Sequence, residues 1–304
     1  MSGLARVAAS SIVGKSYPIY SIFPLRHIAK CIPLIDKRIN IKVLEIMQDR
    51  LEYRGKTMEN KIMSFTATNE QTAIISEIIN GATDLVVAAG PGSGKTTTAL
   101  NAMKGLPSTA KIAFVCFNKK IADENKVKAP KGVDVYTLNG FGWGICLKAL
   151  NKKGYQKVDS YKTQNKLQNH LGGKWNSAEK KFVFGSPENA ETYYKTCGAI
   201  CTLVGLCKSY AMFTPDVKRM QEIADLHNVE IKIDDADMFF SIAMAVFTAC
   251  INDTNILDWD DQIYFPMKYG WNVPQFDYVF VDEAQDLNEV QLMLVMAMAG
   301  KGGN

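Results

Sequence analysis

Arginine nearly disappears from this sequence after its first sixth: beyond Arg54 the only one is Arg219. That leaves little for chemistry in which guanidinium groups stabilise charge on a transferring phosphoryl group. Histidine is also scarce. His27, His170 and His227 are far apart and form no catalytic or metal-binding spacing. Seven cysteines are present, with no C-x-x-C pair among them. Cys197, Cys201 and Cys207 lie in an apolar stretch of helical spacing without a histidine, so buried free thiols are a better reading than a metal site. No apolar run is long enough to span a bilayer; Met238 to Ile251 reads as a buried helix. Residues 1–35 contain no acid, while Arg6, Lys15, Arg26 and Lys30 make them basic. Pro18, Pro24 and Pro33 interrupt any amphipathic helix there, and no clean secretory core is visible. A leader, a folded extension and a translation start at Met58 or Met63 all remain open. The thiols fit a reducing cytoplasm, nucleoid-associated or not, with mitochondria an alternative if the leader is real.

What is present begins with "DLVVAAGPGSGKTTTALNAM". Asp84 to Ala89 has the pattern of a buried strand, and Thr96 to Met103 that of a helix. Between them, Ala89 to Thr96 fits G-x-x-x-x-G-K-[ST], with alanine at the first position. Gly90, Gly92 and Gly94, with Ser93, let backbone N–H groups converge on phosphate oxygens. Lys95 is placed to reach the β- and γ-phosphates, Thr96 to ligate magnesium, and Thr97 follows in the helix's first turn. The order of strand, glycine loop, Lys-Thr and helix predicts a nucleoside triphosphate site with Mg2+.

A second apolar run, Phe276 to Val281, predicts another buried strand, with Asp282 and Glu283 at its C-terminal end. Ligands bind at that edge of a parallel α/β sheet. An aspartate there can hold magnesium, and a neighbouring glutamate can activate a water. A solvated acidic turn is the alternative for such a pair taken alone.

Net charge is +4, but it is unevenly distributed. Residues 104–181 hold 16 Lys against 5 acids (+11), and residues 182–304 hold 7 Lys/Arg against 18 acids (−11). Phe117, Phe141, Trp143, Tyr155, Tyr161 and Trp175 are interleaved with the basic block. Lysines along phosphates and rings against bases make a sequence-tolerant platform for single strands. Scattered surface lysines over core aromatics are the plainer alternative.

With these motifs in place, the sequence resembles the UvrD/Rep family of superfamily 1A DNA helicases. "DEAQD" at 282–286 resembles its motif II, and "AAGPGSGKTTT" its motif I. "TATNEQTAII" resembles the upstream glutamine motif, in which Gln71 is expected to read the adenine edge. "IAFVCFNKKIADE" resembles motif Ia and "VYTLNGFGWGI" motif Ib, which implies strand contacts at Asn118, Lys119, Thr137, Asn139 and Phe141. "ILDWDDQIYFP" resembles the D-F-D-D-L segment before motif II. Asp258, Asp260 and Asp261 within it could serve the metal site or form an acidic turn.

The resemblance implies that the nucleotide is ATP, and it implies a RecA-like α/β fold, a P-loop NTPase domain with a central parallel sheet. A mainly helical insert, in the position of the family's 1B subdomain, interrupts it. On this reading residues 1–62 are a basic extension, 63–145 and 256–304 the two segments of the ATPase domain, and 146–255 the insert. "GGKWNSAEKKFVFGSP" predicts a short hairpin or loop inside that insert. Lys95 is expected to hold phosphates, Thr96 and Asp282 the magnesium, and Glu283 to activate water. Gln285 is expected to couple the γ-phosphate to a second motor domain. The family's later motifs, with their arginines, do not occur here, so the sequence reads as the N-terminal half of a motor. A truncated product, a split-gene product and an incomplete reading are all consistent with that. The expected partners are single-stranded DNA and a second chain that completes the motor, with no membrane. A nucleotide-responsive DNA-binding or adaptor module is the alternative. "LNEVQLMLVMAMAG" is expected to leave apolar surface exposed.

Overall fold

The computed structural model describes residues 66–81, 85–90, 92–151, 158–179 and 181–300, so the basic extension lies outside it. These residues divide into two compact units, one comprising residues up to 111 with 128–133, the other 112–127 and 134–300.

In the first unit Thr68 caps α1 (Asn69–Ile79) through a capping box: its side chain accepts from the Gln71 N–H, and Gln71 Oε1 accepts from the Thr68 N–H. The glycine loop leads into α2 (Lys95–Gly105), whose Leu100, Ala102 and Met103 are buried. Between α1 and the loop, no strand forms over the described part, 85–89, of the run expected at 84–89. Leu85 to Gly90 have no ladder, and Val86 is 68% exposed. β-branched residues favour strands, but a strand exists only where a neighbour completes its hydrogen bonds, and among the described residues none flanks this run.

The second unit is built on a three-stranded sheet in which β1 (Ile112–Cys116) lies between β2 (Val133–Thr137) and β5 (Tyr278–Val281). β1 (Ile112–Cys116) is buried at every position and leads to α3 (Lys119–Lys128), then β2 (Val133–Thr137) and α4 (Leu138–Ala149). Next come α5 (Lys162–His170) and the hairpin of β3 (Lys174–Asn176) and β4 (Lys181–Val183), which bears out the hairpin expectation. Helices α6 (Pro187–Ser209), α7 (Val217–Leu226), α8 (Ala236–Asn252) and α9 (Asp261–Lys268) follow. β5 (Tyr278–Val281) pairs in parallel with β1, Ile112 opposite Tyr278 and Val115 opposite Val281. A 3-10 turn at Ala284–Asp286 and α10 (Glu289–Ala299) close the described chain. The helical segment shares one hydrophobic core with the sheet. Side-chain caps from Ser186, Asp216 and Asp235 start α6, α7 and α8. The apolar run 238–251 lies within α8, as expected, and buries Phe239, Ala243, Val246, Phe247 and Cys250. Among the described residues no helix is long and apolar enough to cross a membrane.

α10 bears on one expectation: it packs one side on its unit, while Leu292, Met293 and Met296 stay partly accessible. Val290, Leu294, Val295 and Met298 are buried, no residue of the helix is exposed, and the Met298 carbonyl accepts from the Phe276 N–H at 2.9 Å. The helix finds its apolar partners within the unit. α4 and α9 touch backbone to backbone: a Cβ on Gly142 would come 2.1 Å from the Gln262 carbonyl oxygen, so no other residue fits there.

A charged cluster lies inside this unit. Lys162 Nζ meets Asp261 Oδ2 at 2.6 Å and donates to the Asp253 carbonyl at 2.8 Å. Lys208 Nζ meets Asp258 Oδ2 at 2.6 Å and Asp261 Oδ1 at 2.9 Å. Asp258 Oδ1 in turn accepts from the Asp261 N–H, and Asp261 Oδ2 from the Asp258 N–H. Two lysines thus neutralise two aspartates, which answers the open question about this acidic turn: Asp258 and Asp261 are internal ion-pair partners. Asp260 stands apart, with its carboxylate 3.3 Å from where a Cβ on Gly205 would lie. Desolvation by the surrounding protein, then the charge of Asp258, raises its carboxyl to about 6, although the residue as a whole is exposed and solvent screens part of the effect.

Two outcomes follow from this cluster. Lys208→Met leaves only Lys162 to offset two buried carboxylates, with Asp258 unpaired, and is expected to lower stability by about 3–5 kcal/mol, measured by urea unfolding at pH 7. Asp260 works in the opposite sense. Its folded pKa lies above its unfolded value, so between about pH 4 and 6 the folded state binds more protons and stability falls as pH rises. Asp260→Asn should therefore raise the melting temperature slightly at pH 8, the effect being reduced by the residue's exposure, and leave it nearly unchanged at pH 3.5.

Candidate nucleotide and strand-binding sites

The glycine loop of the first unit has the features of an anion cradle. Gly92 and Gly94 take left-handed backbone angles (φ +73° and +86°), and a Cβ at Gly90 or Gly92 would meet nothing within 4 Å. That open space, lined by backbone, suits phosphate oxygens. Gly94 is the N-cap of α2 and supplies no side-chain cap, so the helix N-terminus keeps its affinity for anions. Ser93 N–H donates to the Gly90 carbonyl at 3.3 Å and closes the turn. Lys95 Nζ donates to the Ala89 carbonyl at 3.0 Å, folding back over its own loop. A phosphate oxygen is a stronger acceptor for that ammonium than a neutral carbonyl. Thr96 and Thr97 lie in the first turn of α2, and the Thr97 carbonyl accepts from Asn101.

Gln71 has a place that the sequence reading did not foresee. Its Oε1 completes the capping box, and its Nε2 donates to the Ser93 carbonyl at 3.3 Å. Both ends of the amide are therefore engaged, bracing the phosphate loop. The signal was present as T-x-x-Q at 68–71, a capping-box spacing.

In the second unit Asp282 sits just past β5, where its N–H extends the ladder to the Val115 carbonyl at 3.0 Å. This is the carboxyl edge of the parallel pair, as expected. Glu283 adopts a left-handed conformation (φ +55°), a strain that non-glycine residues carry where position matters. Gln285 Nε2 donates to Glu283 Oε2 at 2.5 Å and fixes the carboxylate's direction. Buried Cys116, at the end of β1, has its thiol pushed up by burial and further by the charge of Asp282. Thr96 belongs to the first unit and Asp282 to the second. Among the described residues no cluster of three or more His, Cys, Asp or Glu is arranged to hold a metal. Cys207 and Cys250 are buried and Cys197 and Cys201 half-buried, all free thiols. Cys201 lowers the Cys197 thiol to about 6 by hydrogen bonding, and burial raises Cys207 to about 12.

The five residues expected to contact a strand divide by environment. Lys119 is exposed at the start of α3. Asn118 is exposed too, but its Oδ1 accepts from the Ile121 N–H and begins that helix. Thr137 caps α4 through the Gly140 N–H. Asn139 Nδ2 donates to the Trp259 carbonyl at 2.9 Å. Phe141 is packed in the core, its ring 5.1 Å from Tyr136 and 6.0 Å from Phe276. A ring so enclosed has no face to offer a base. Among the other aromatics of the basic block, Phe117, Tyr161 and Trp175 are exposed, Trp143 is half-buried, and Tyr155 lies outside the described residues. Two of its lysines are structural: Lys162 in the buried cluster, and Lys166 against Asp253 at 2.6 Å.

Comparison with known proteins bears on both units. F-box DNA helicase 1 of Gallus gallus is 24% identical over 248 residues, an alignment covering 76% of this chain and 22% of that protein. The chain therefore spans about a fifth of the relative's length. No solved structure matches the chain significantly. The UvrD/REP helicase N-terminal domain matches residues 67–304, which takes in the capping box, the glycine loop, the sheet and the Asp-Glu edge. Through that domain, RecA-like in fold, the chain belongs to the UvrD/REP helicase family.

Proposed function

We propose that this chain is the ATP- and single-stranded-DNA-binding N-terminal module of a DNA helicase motor. The open glycine cradle, followed directly by an uncapped helix N-terminus, carries the reading within a helicase-family domain. In this role Lys95 holds phosphates and Thr96 and Asp282 take magnesium, which supplies charge neutralisation on the nucleotide. Glu283, oriented by Gln285, activates the attacking water. Exposed Lys119 and its neighbours in the basic block carry the sequence-independent part of strand binding.

Residues 66–304 contain one arginine, Arg219, and it faces Glu222 on its own helix at 3.9 Å. The charge that develops on the transferring phosphoryl group therefore needs arginines from beyond these residues, from another segment or a second chain. Without them hydrolysis is expected to run on the order of 10³–10⁵ slower than in a completed motor. A nucleotide-responsive DNA-binding adaptor is the alternative, and the same variants separate the two.

Fluorescent-nucleotide titration should show magnesium-dependent binding that Lys95→Ala abolishes. Gly94→Ala should weaken it as well, because its Cβ would stand 2.9 Å from Gln71 Nε2 at a left-handed position. Failure of the unaltered chain to bind nucleotide would end the proposal. Glu283→Gln should retain binding and lower DNA-stimulated turnover by about 10²–10⁴. A turnover unchanged by Glu283→Gln, with DNA affinity still responding to ATP, would favour the adaptor.

A further inference from the structure

Three segments of the second unit meet beside the buried ion cluster. The Asp159 N–H donates to the Leu257 carbonyl at 2.8 Å. Trp259 Nε1 donates to Ser160 Oγ at 3.1 Å, and the Trp259 carbonyl accepts from Asn139 Nδ2 at 2.9 Å. Just inside, Lys162 and Lys208 hold Asp261 and Asp258. The loop carrying Trp259 is thus fixed on both sides, yet the residue is 56% exposed, and Tyr161, next to the serine that holds the indole, is 66% exposed. Most large aromatics in this unit are buried or half-buried. Two rings left in water on loops this well anchored are not explained by the core.

We propose that Trp259 and Tyr161 form an aromatic surface on which bases of a single nucleic-acid strand stack. The idea rests on the strand-binding reading above and adds residues to it. Trp259 lies outside the basic block and the five expected contact positions, but its backbone is tied to Asn139, one of those positions.

The surrounding charge permits this occupant. Asp258 and Asp261 are offset by Lys208 and Lys162. Asp159 accepts from the Tyr161 N–H at 2.8 Å and from Asn165 Nδ2 at 3.3 Å. The Asp260 carboxylate lies over Gly205 of α6. Of these acids Asp159, Asp258 and Asp261 are held by the protein and Asp260 is exposed, while residues 104–181, which include Asn139 and Tyr161, have an excess of 11 lysines over acids. A protein partner for the two rings would be the competing occupant. The lysine excess favours a polyanion with aromatic bases.

The test is binding of fluorescein-labelled oligo-dT to the full 304-residue chain, followed by anisotropy across a salt series. Trp259→Ala should weaken binding by about 5- to 150-fold, the range for loss of one stacked base. The line of log affinity against log salt should shift in parallel, because no phosphate contact is lost. Tyr161→Ala should shift it in the same way, and Trp259→Phe should recover most of the affinity, since a ring remains while the hydrogen bond to Ser160 does not. Wild-type binding with Trp259→Ala and Tyr161→Ala both within twofold of it (~0.4 kcal/mol) would overturn this inference alone. Phenylalanine falling as far as alanine would also overturn it, by assigning the loss to the loop's hydrogen bond. No oligo-dT binding by the unaltered chain would overturn both the inference and the strand-binding reading.

Discussion

The second unit depends on an ion cluster buried in its interior. Lys162 and Lys208 are fully buried, as is Asp261, with Asp258 nearly so. Bringing four charges out of water is costly, and the cost is offset only because each ammonium meets carboxylate oxygens at 2.6–2.9 Å and the two aspartates also accept backbone N–H groups. Geometry this demanding admits few arrangements. α5, α6 and the turn before α9 must adopt one relation or leave a charge unpaired. The turn is thereby held where Asn139 and Ser160 can reach Trp259.

A different constraint shapes the first unit. Its loop must present backbone N–H groups to an anion, so it is built from residues without obstructing side chains. A loop of that composition gains little rigidity from its own packing. Gln71 supplies it from outside, joining the start of α1 to the Ser93 carbonyl. The close approach at Gly94 follows from the same brace. The Asp-Glu edge in the second unit shows the converse: there the ladder to β1 places Asp282, and local strain with a side-chain hydrogen bond directs Glu283.

Aromatic residues in the basic block illustrate how little sequence position alone decides. Phe141 and Tyr161 lie 20 residues apart in the same lysine-rich stretch. One is in the core against Phe276, and the other is two-thirds exposed. Helix α4 turns Phe141 inward toward the sheet, while Tyr161 precedes α5 on a loop whose backbone is tied down from below. Lysine behaves likewise, since Lys162 is buried one residue away from that exposed ring.

The sequence by itself determined the elements whose chemistry is local. The glycine loop and its helix need their residue types in order because a phosphate-sized turn leaves no alternative. Strand β5 with Asp282 and Glu283, the hairpin at 174–183 and the buried helix at 238–251 follow from short-range hydrophobic pattern in the same way. What tertiary structure decided are pairings across long separations. Asp261 with Lys162, Asn139 with Trp259 and Gln71 with Ser93 lie 99, 120 and 22 residues apart. The run at 84–89 has strand composition but, among the described residues, no neighbour to complete its ladder, and the final apolar helix packs Val290, Leu294, Val295 and Met298 on the core of its unit. A residue type states what a side chain can do, and only the folded neighbourhood states whether its partner is water, another side chain or a ligand.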